Sequence, residues 1–197
     1  VGDSDIVFNE LRSFVYQLDF EKLDEIDEGL TKLHHGANAL ELVINNPVDI
    51  VEFEKKVAQI RKYTDLPSII TPNFEDLEDY EALVLTCYKN GIDYVSLNLK
   101  FEVEFLRTLI SKKASTKIIG VYRDEQSKWS APVFEDFYVK GKFLRVELVK
   151  LVGKATDLND NFELEEFKKK VKDSKLIAYN ESPLGKLSKI ANNLLTP

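Results

Sequence analysis

Cysteine is nearly absent: Cys87 stands alone among 197 residues, so no internal disulfide framework can form. Long apolar runs are missing too, which excludes a membrane-spanning segment. Acids outnumber bases 34 to 27, for a net charge of -7, but neither sign gathers in blocks. That spread argues against nucleic acid or an anionic membrane as partner. No stretch has the composition of a linker, so residues 1–197 are read as one domain, and 44% hydrophobic content is enough for one sizeable core. These features fit a soluble, reducing, cytoplasmic setting. Val1 is not an initiator methionine and no signal-peptide pattern follows, so a chain cut from something longer is expected.

What is present is a recurrence. Strands are predicted at Ser13 to Phe20, Ala39 to Ile44, Pro67 to Thr71, Tyr94 to Leu99, Lys117 to Tyr122, Arg145 to Ala155 and Lys175 to Tyr179. Helical spacing of apolar residues separates them: Phe20, Leu23, Ile26, Leu30 and Leu33; then Ile50, Phe53, Val57 and Ile60; then Leu77, Tyr80, Leu83, Val84 and Cys87. Helices with Val103, Leu106, Leu109 and Ile110, and with Phe162, Leu164, Phe167 and Val171, follow the fourth and sixth strands. Val133 to Tyr138 reads as a helix of mixed character, and Leu187, Ile190, Ala191 and Leu194 as the apolar face of the last.

Strand starts near residues 13, 39, 67, 93, 117, 146 and 175 recur every 24 to 29 residues with a helix between them, the pattern of right-handed βα units on a parallel sheet. No GxGxxG follows the first strand, which favours an α/β fold of the TIM type, a (β/α) barrel, over a dinucleotide-binding sheet. Seven units are visible and the eighth strand is missing, so the first and last strands are predicted to leave open edges unless another segment, such as residues 1 to 12, covers them.

In such a barrel the C-terminal strand ends converge on one mouth. There the sequence places Glu41, Val43, Asn45, Thr71, Asn73, Ser96, Asn98, Arg123, Asp124, Lys150, Ser188 and Lys189. Lys150, inside the apolar run Arg145 to Ala155, is the outlier: a lysine that loses hydration becomes a neutral, carbonyl-attacking amine, whereas a lysine at a strand end keeps its head in water.

Five collinear segments, GANALELVINN, TDLPSIIT, TKIIGVYRD, VKLVGKATDLNDNFELEEF and GKLSKIANNLLTP, resemble the type I 3-dehydroquinate dehydratase domain of fungal pentafunctional shikimate-pathway (AROM) polypeptides. The resemblance covers nearly the whole chain. It implies a barrel whose lysine forms a Schiff base with a substrate ketone while a histidine moves protons and water is eliminated, giving 3-dehydroshikimate. No cofactor or metal is implied. The implied partners are the neighbouring catalytic domains of the same polypeptide, a second copy in a homodimer, and 3-dehydroquinate or quinate. Lys150 falls on the Schiff-base position, and Glu41 matches the family's strand-two glutamate.

Other positions depart from the family. Its Glu-Leu-Arg-x-Asp reads Glu41-Leu42-Val43-Ile44-Asn45, its arginine after strand three reads Asn73, and acidic positions on strand four read Ser96 and Asn98. Its Tyr-His-Asp reads Tyr122-Arg123-Asp124, and its Ser-Arg near the C-terminus reads Ser188-Lys189. The family's final strand and substrate loop are absent from the sequence. Arginine stays protonated above about pH 12 and cannot abstract a proton, and a positioned acid/base contributes ~100- to 10,000-fold. Loss of dehydratase activity and a structural role are therefore expected. A cation at 123 would lower the Lys150 pKa, so imine formation could survive. Two alternatives stand beside this reading: an active dehydratase using another base, Glu41 first, or a ligand-sensing module like the quinate-pathway repressors.

Blander readings apply to the remaining residues. Glu41 could neutralise Lys150 or Arg123 as a buried pair. His34 and His35 read as surface residues at a helix C-terminus, and Cys87 as core. Trp129 could cap the mouth or pack on the next helix. Asp24, Glu25, Asp27 and Glu28 read as a solvated face. Asn180-Glu181-Ser182 matches a glycosylation acceptor pattern but follows a strand that looks buried.

Overall fold

Side chains alternate between two apolar environments along the strands, one inside and one outside a curled parallel sheet. In a computed structural model, which describes residues 12–25, 36–128 and 130–197, the strands are β1 (Val15–Asp19), β2 (Ala39–Ile44), β3 (Ser68–Pro72), β4 (Tyr94–Asn98), β5 (Lys117–Lys128), β6 (Leu148–Lys154) and β7 (Leu176–Glu181). All are parallel, in sequence order β1 to β7, as repeated βα units require. One set of side chains (Val15, Ala39, Ile69, Tyr94, Ile119, Leu148, Ile177) packs inside the curl. The intervening set (Leu40, Leu42, Ile70, Val95, Ile118, Val149, Leu151) packs outward against helices.

The helices are α1 (Ile50–Ile60), α2 (Leu77–Lys89), α3 (Val103–Ser111), α4 (Ala131–Phe143), α5 (Asn159–Val171) and α6 (Lys186–Ala191). Asp49 caps α1 by accepting from the Glu52 amide at 2.9 Å, and Asp76 caps α2 by accepting from the Glu78 and Asp79 amides. Their inward residues Phe53, Leu83 and Leu106 are fully buried, each contributing about 1.5–3 kcal/mol by leaving water. Gly141 lets α4 lie close to β6, since a Cβ there would stand 2.8 Å from Val149 Cγ2.

Several boundaries differ from expectation. The first helix is a 3-10 turn over Phe20–Glu25, and the rest of that predicted helix, with His34, His35, Asp27 and Glu28, lies outside the described residues, as do Trp129 and residues 1–11. β5 runs on to Lys128 with a register shift after Arg123, so Arg123 belongs to the strand and not to a loop after it. α4 extends past the expected Tyr138 to Phe143, with Lys140 donating to the Phe101 carbonyl at 2.8 Å. α6 ends at Ala191, and its expected apolar face is wrong: Leu187 and Ile190 are exposed, while Ser188 is its buried residue.

The open edge of β1 is also occupied. The Val15 amide donates to the Thr196 carbonyl at 2.9 Å, the Thr196 amide donates to the Ser13 carbonyl at 3.0 Å, and Phe14 bridges Thr196 in parallel. Leu195 packs inside the curl with Val15 and Tyr179. An eighth strand is not seen among the described residues, but the last residues pair with the backbone at the start of β1, from Ser13 to Val15. Among the described residues, no helix is long and apolar enough to cross a membrane.

Candidate active site

β2, β3, β4 and β6 each send one polar side chain into the curl at the same height. Glu41, Thr71, Ser96 and Lys150 follow the apolar layer of Ala39, Ile69, Tyr94 and Leu148 by two residues, which in a strand means the same face. Lys150 Nζ donates to Glu41 Oε1 at 2.8 Å and Oε2 at 2.9 Å, and both residues are almost wholly buried, at 4% and 1% exposure. Thr71 Oγ1 donates to Glu41 Oε1 at 2.7 Å and lies 2.8 Å from Ser96 Oγ. Thr71 has one proton and gives it to the carboxylate, so the Ser96 hydroxyl supplies the second bond.

Burial pushes the Glu41 carboxyl up, but the charge of Lys150, hydrogen bonds from Lys150 and Thr71, and the charge of Arg123 outweigh it and hold it below the usual range. Burial likewise pushes the Lys150 amine down. The Glu41 charge dominates the opposing effects and raises it above the usual range, with Arg123 a small influence in the lowering direction. This corrects the expectation that a cation at 123 would leave Lys150 a low-pKa nucleophile: Arg123 acts in that direction, but the bidentate carboxylate wins. Glu41 is thus held as the buried partner of Lys150.

Above this pair lies a cavity of about 140 Å³, lined among others by Val43, Asn73, Asn98, Lys100, Arg123 and Lys150. Val43, Asn73 and Arg123 also line an outer cleft of about 380 Å³ with Gln17, Asp19 and Asn45. Asn73 Nδ2 donates to Asn45 Oδ1 at 2.9 Å across the rim. Glu41, Val43, Asn45, Asn73, Arg123 and Lys150 are thus gathered at one mouth.

Ser188 and Lys189 sit apart, on the β7 side. The Ser188 hydroxyl is fully buried, accepting from the Asn180 amide and donating to the Gly185 carbonyl at 2.7 Å each. Lys189 pairs with Glu181 at 3.0 Å and lies over the Tyr179 ring, 5.3 Å from its centroid. Asn180 is fully buried, which removes the glycosylation triplet from reach of an enzyme.

Three residues at the site escaped the sequence reading. Tyr179 points inward with its hydroxyl buried and without a hydrogen-bond partner, close enough to Lys150 and Glu41 for their charges to act on it. Glu181 follows it on the same face, and Lys100 lines the cavity from beyond β4. The two-residue periodicity from Ile177 through Tyr179 to Glu181 was the available signal.

The family model for type I 3-dehydroquinase matches residues 14–197. The chain belongs to the type I 3-dehydroquinase family. It is 34% identical over 199 residues to the pentafunctional AROM polypeptide of Komagataella phaffii, and 33% over 202 residues to that of Saccharomyces cerevisiae, covering 94% of this chain in each. It spans 13% of the length of those relatives. Among solved structures, the dehydroquinate dehydratase and shikimate dehydrogenase part of S. pombe AroM superposes with a TM-score of 0.89 at 26% identity, covering 96% of this chain and 40% of that one. The 3-dehydroquinate dehydratase of Enterococcus faecalis shares the fold, with a TM-score of 0.85 at 16% identity, covering 99% of this chain and 92% of that one.

Proposed function

We propose that this chain is the dehydroquinase domain of a pentafunctional shikimate-pathway polypeptide, that its dehydratase chemistry is lost, and that it holds neighbouring catalytic domains in place. The observation that carries this reading is the paired Lys150: an ammonium held by both oxygens of Glu41 has no lone pair with which to attack a ketone. The side chain at the same mouth on β5 is Arg123, which cannot accept a proton at physiological pH. Glu41 is no substitute base, because its lowered pKa leaves it weakly basic near neutrality. The family's arginine positions hold Val43 and Asn73, which weakens the grip on an anionic substrate as well, and its aspartate position holds Asn45. The parent chain is read as cytoplasmic and dimeric.

Borohydride trapping tests the lysine directly. Incubated with 3-dehydroquinate and borohydride near pH 7, the domain should keep its unmodified mass. A covalent adduct mapped to Lys150 would show that the site still binds and condenses, and would overturn this reading of the lysine. Calorimetry that found tight binding of quinate without turnover would favour the sensing alternative instead.

A further inference from the structure

Leu158, Phe162, Leu184, Leu187 and Ile190 are between 43% and 65% exposed, although each is large and apolar. They stand together. Phe162 follows Leu158 by four residues, one turn along α5, and Leu184, Leu187 and Ile190 recur every three residues through the turn into α6. The buried Asn161 fastens the two elements, its Nδ2 donating to the Leu184 carbonyl at 2.8 Å and to the Leu158 carbonyl at 3.3 Å. Ser188 fills the inward position of α6, so Leu187 and Ile190 stay outside the core. Asn159, Glu163 and Lys186 are exposed around the set, which gives an apolar centre a polar rim. Apolar side chains scattered singly over a surface are ordinary, but a gathered set marks a face that another surface covers.

We propose that this patch is the docking face for a neighbouring domain of the same polypeptide, which lays an apolar surface of its own on it. The inference rests on the reading of the chain as one domain of a longer polypeptide, as its relatives are far longer than the chain itself. The first and last described residues run close to the patch. The Arg12 guanidinium donates to the Ile190 carbonyl, the Ser13 amide to the Asn193 carbonyl at 2.8 Å, and the Val15 amide to the Thr196 carbonyl at 2.9 Å. A domain joined through either end is therefore tethered beside α6. Tethering sets an effective concentration on the order of millimolar, so even weak association keeps the face covered, whereas a second copy of the chain has no such advantage.

Hydroxyl-radical footprinting read by mass spectrometry, on this chain alone and on the native polypeptide, tests this. Oxidation of Leu158, Phe162, Leu184 and Leu187 should fall roughly fivefold or more in the polypeptide, as side chains at the centre of an interface lose water, while Val51, exposed on α1, keeps its labelling. Phe162→Ser with Leu187→Ser alters two exposed positions, so the chain alone should melt as before. In the polypeptide the same pair should raise the rate of proteolytic cleavage between this domain and its neighbour about tenfold. Equal labelling of the patch in the two samples overturns the proposal, and so does equal protection of Val51. Protection that appears in this chain alone as its concentration rises assigns the patch to a second copy. Protection in a chain longer by about 30 residues, enough for one further βα unit, assigns it to the barrel itself; either result overturns the proposal. A native polypeptide no longer than this chain would remove the multidomain reading first, which separates its failure from that of the docking face.

Discussion

Lys150 Nζ contacts both carboxylate oxygens of Glu41, at 2.8 and 2.9 Å, across the inside of a curled parallel sheet from β6 to β2. The two residues are 109 positions apart in the chain. Each alone would be an isolated charge in an apolar layer; together they form a buried ion pair steadied by Thr71 and Ser96.

Breaking one side of that pair leaves the other charge buried and unmatched. Glu41→Gln should destabilise the domain by about 3–5 kcal/mol, and the double variant Glu41→Leu with Lys150→Met should recover most of that loss. Urea unfolding followed by circular dichroism measures both. A Glu41→Gln variant as stable as the unaltered chain would show that the pair contributes nothing.

The pair also fixes a pH profile. Glu41 titrates below its usual 4.5, so its stabilisation is present above that value and is lost as pH falls through the lowered one. Lys150 titrates above its usual 10.5, so its stabilisation is present below 10.5 and is lost as pH rises through the raised value. Between these limits the pair should contribute a constant amount. Melting temperatures taken across the range should fall at both ends, and the Glu41→Leu, Lys150→Met variant should fall less at each.

Tyr179 keeps a buried hydroxyl with no hydrogen-bond partner. Removing the oxygen relieves its desolvation and leaves the ring, with Lys189 above it, in place. Tyr179→Phe should therefore be neutral or stabilise by about 1 kcal/mol, against the usual cost of altering a core residue. A loss of 2 kcal/mol or more, on the order of an orphaned partner, would show that the hydroxyl is engaged.

At Ser182 the usual ranking of alanine over glycine should invert. Alanine keeps the unfavourable φ of 91° and loses the bond to Ala155, whereas glycine loses the bond and the strain. Ser182→Gly should exceed Ser182→Ala in stability by about 1–3 kcal/mol. Gly185→Ala should cost about 1–3 kcal/mol, since its Cβ meets the Asn180 backbone and not a side chain that can move.

The parallel barrel was legible because its signal is repetitive: strand-type and helix-type apolar spacing alternate through the chain, and β2 through β7 begin within a few residues of where the pattern puts them. Lys150 was legible for a related reason, as a charge in a run that should be apolar. What escaped depends on contacts distant in sequence. Nothing local tells that Thr196 lies beside Phe14, or that Ser188 turns inward while Ile190 faces water. The Lys150 pKa shows the same limit: Arg123 was a visible neighbour by family position, but the larger effect comes from the geometry of Glu41. Glu181 and Tyr179 were missed because the seventh strand was ended at Tyr179 and its two-residue alternation was not followed to the mouth.

The most direct measurement is the rise in ultraviolet absorbance when the purified domain meets 3-dehydroquinate, reporting formation of the conjugated product. An engaged lysine, a guanidinium where a base is needed, and a valine and an asparagine where cations are needed predict no rise above the enzyme-free baseline. Turnover at an ordinary enzyme rate, about 1–1,000 per second, abolished by Lys150→Ala, would contradict the account.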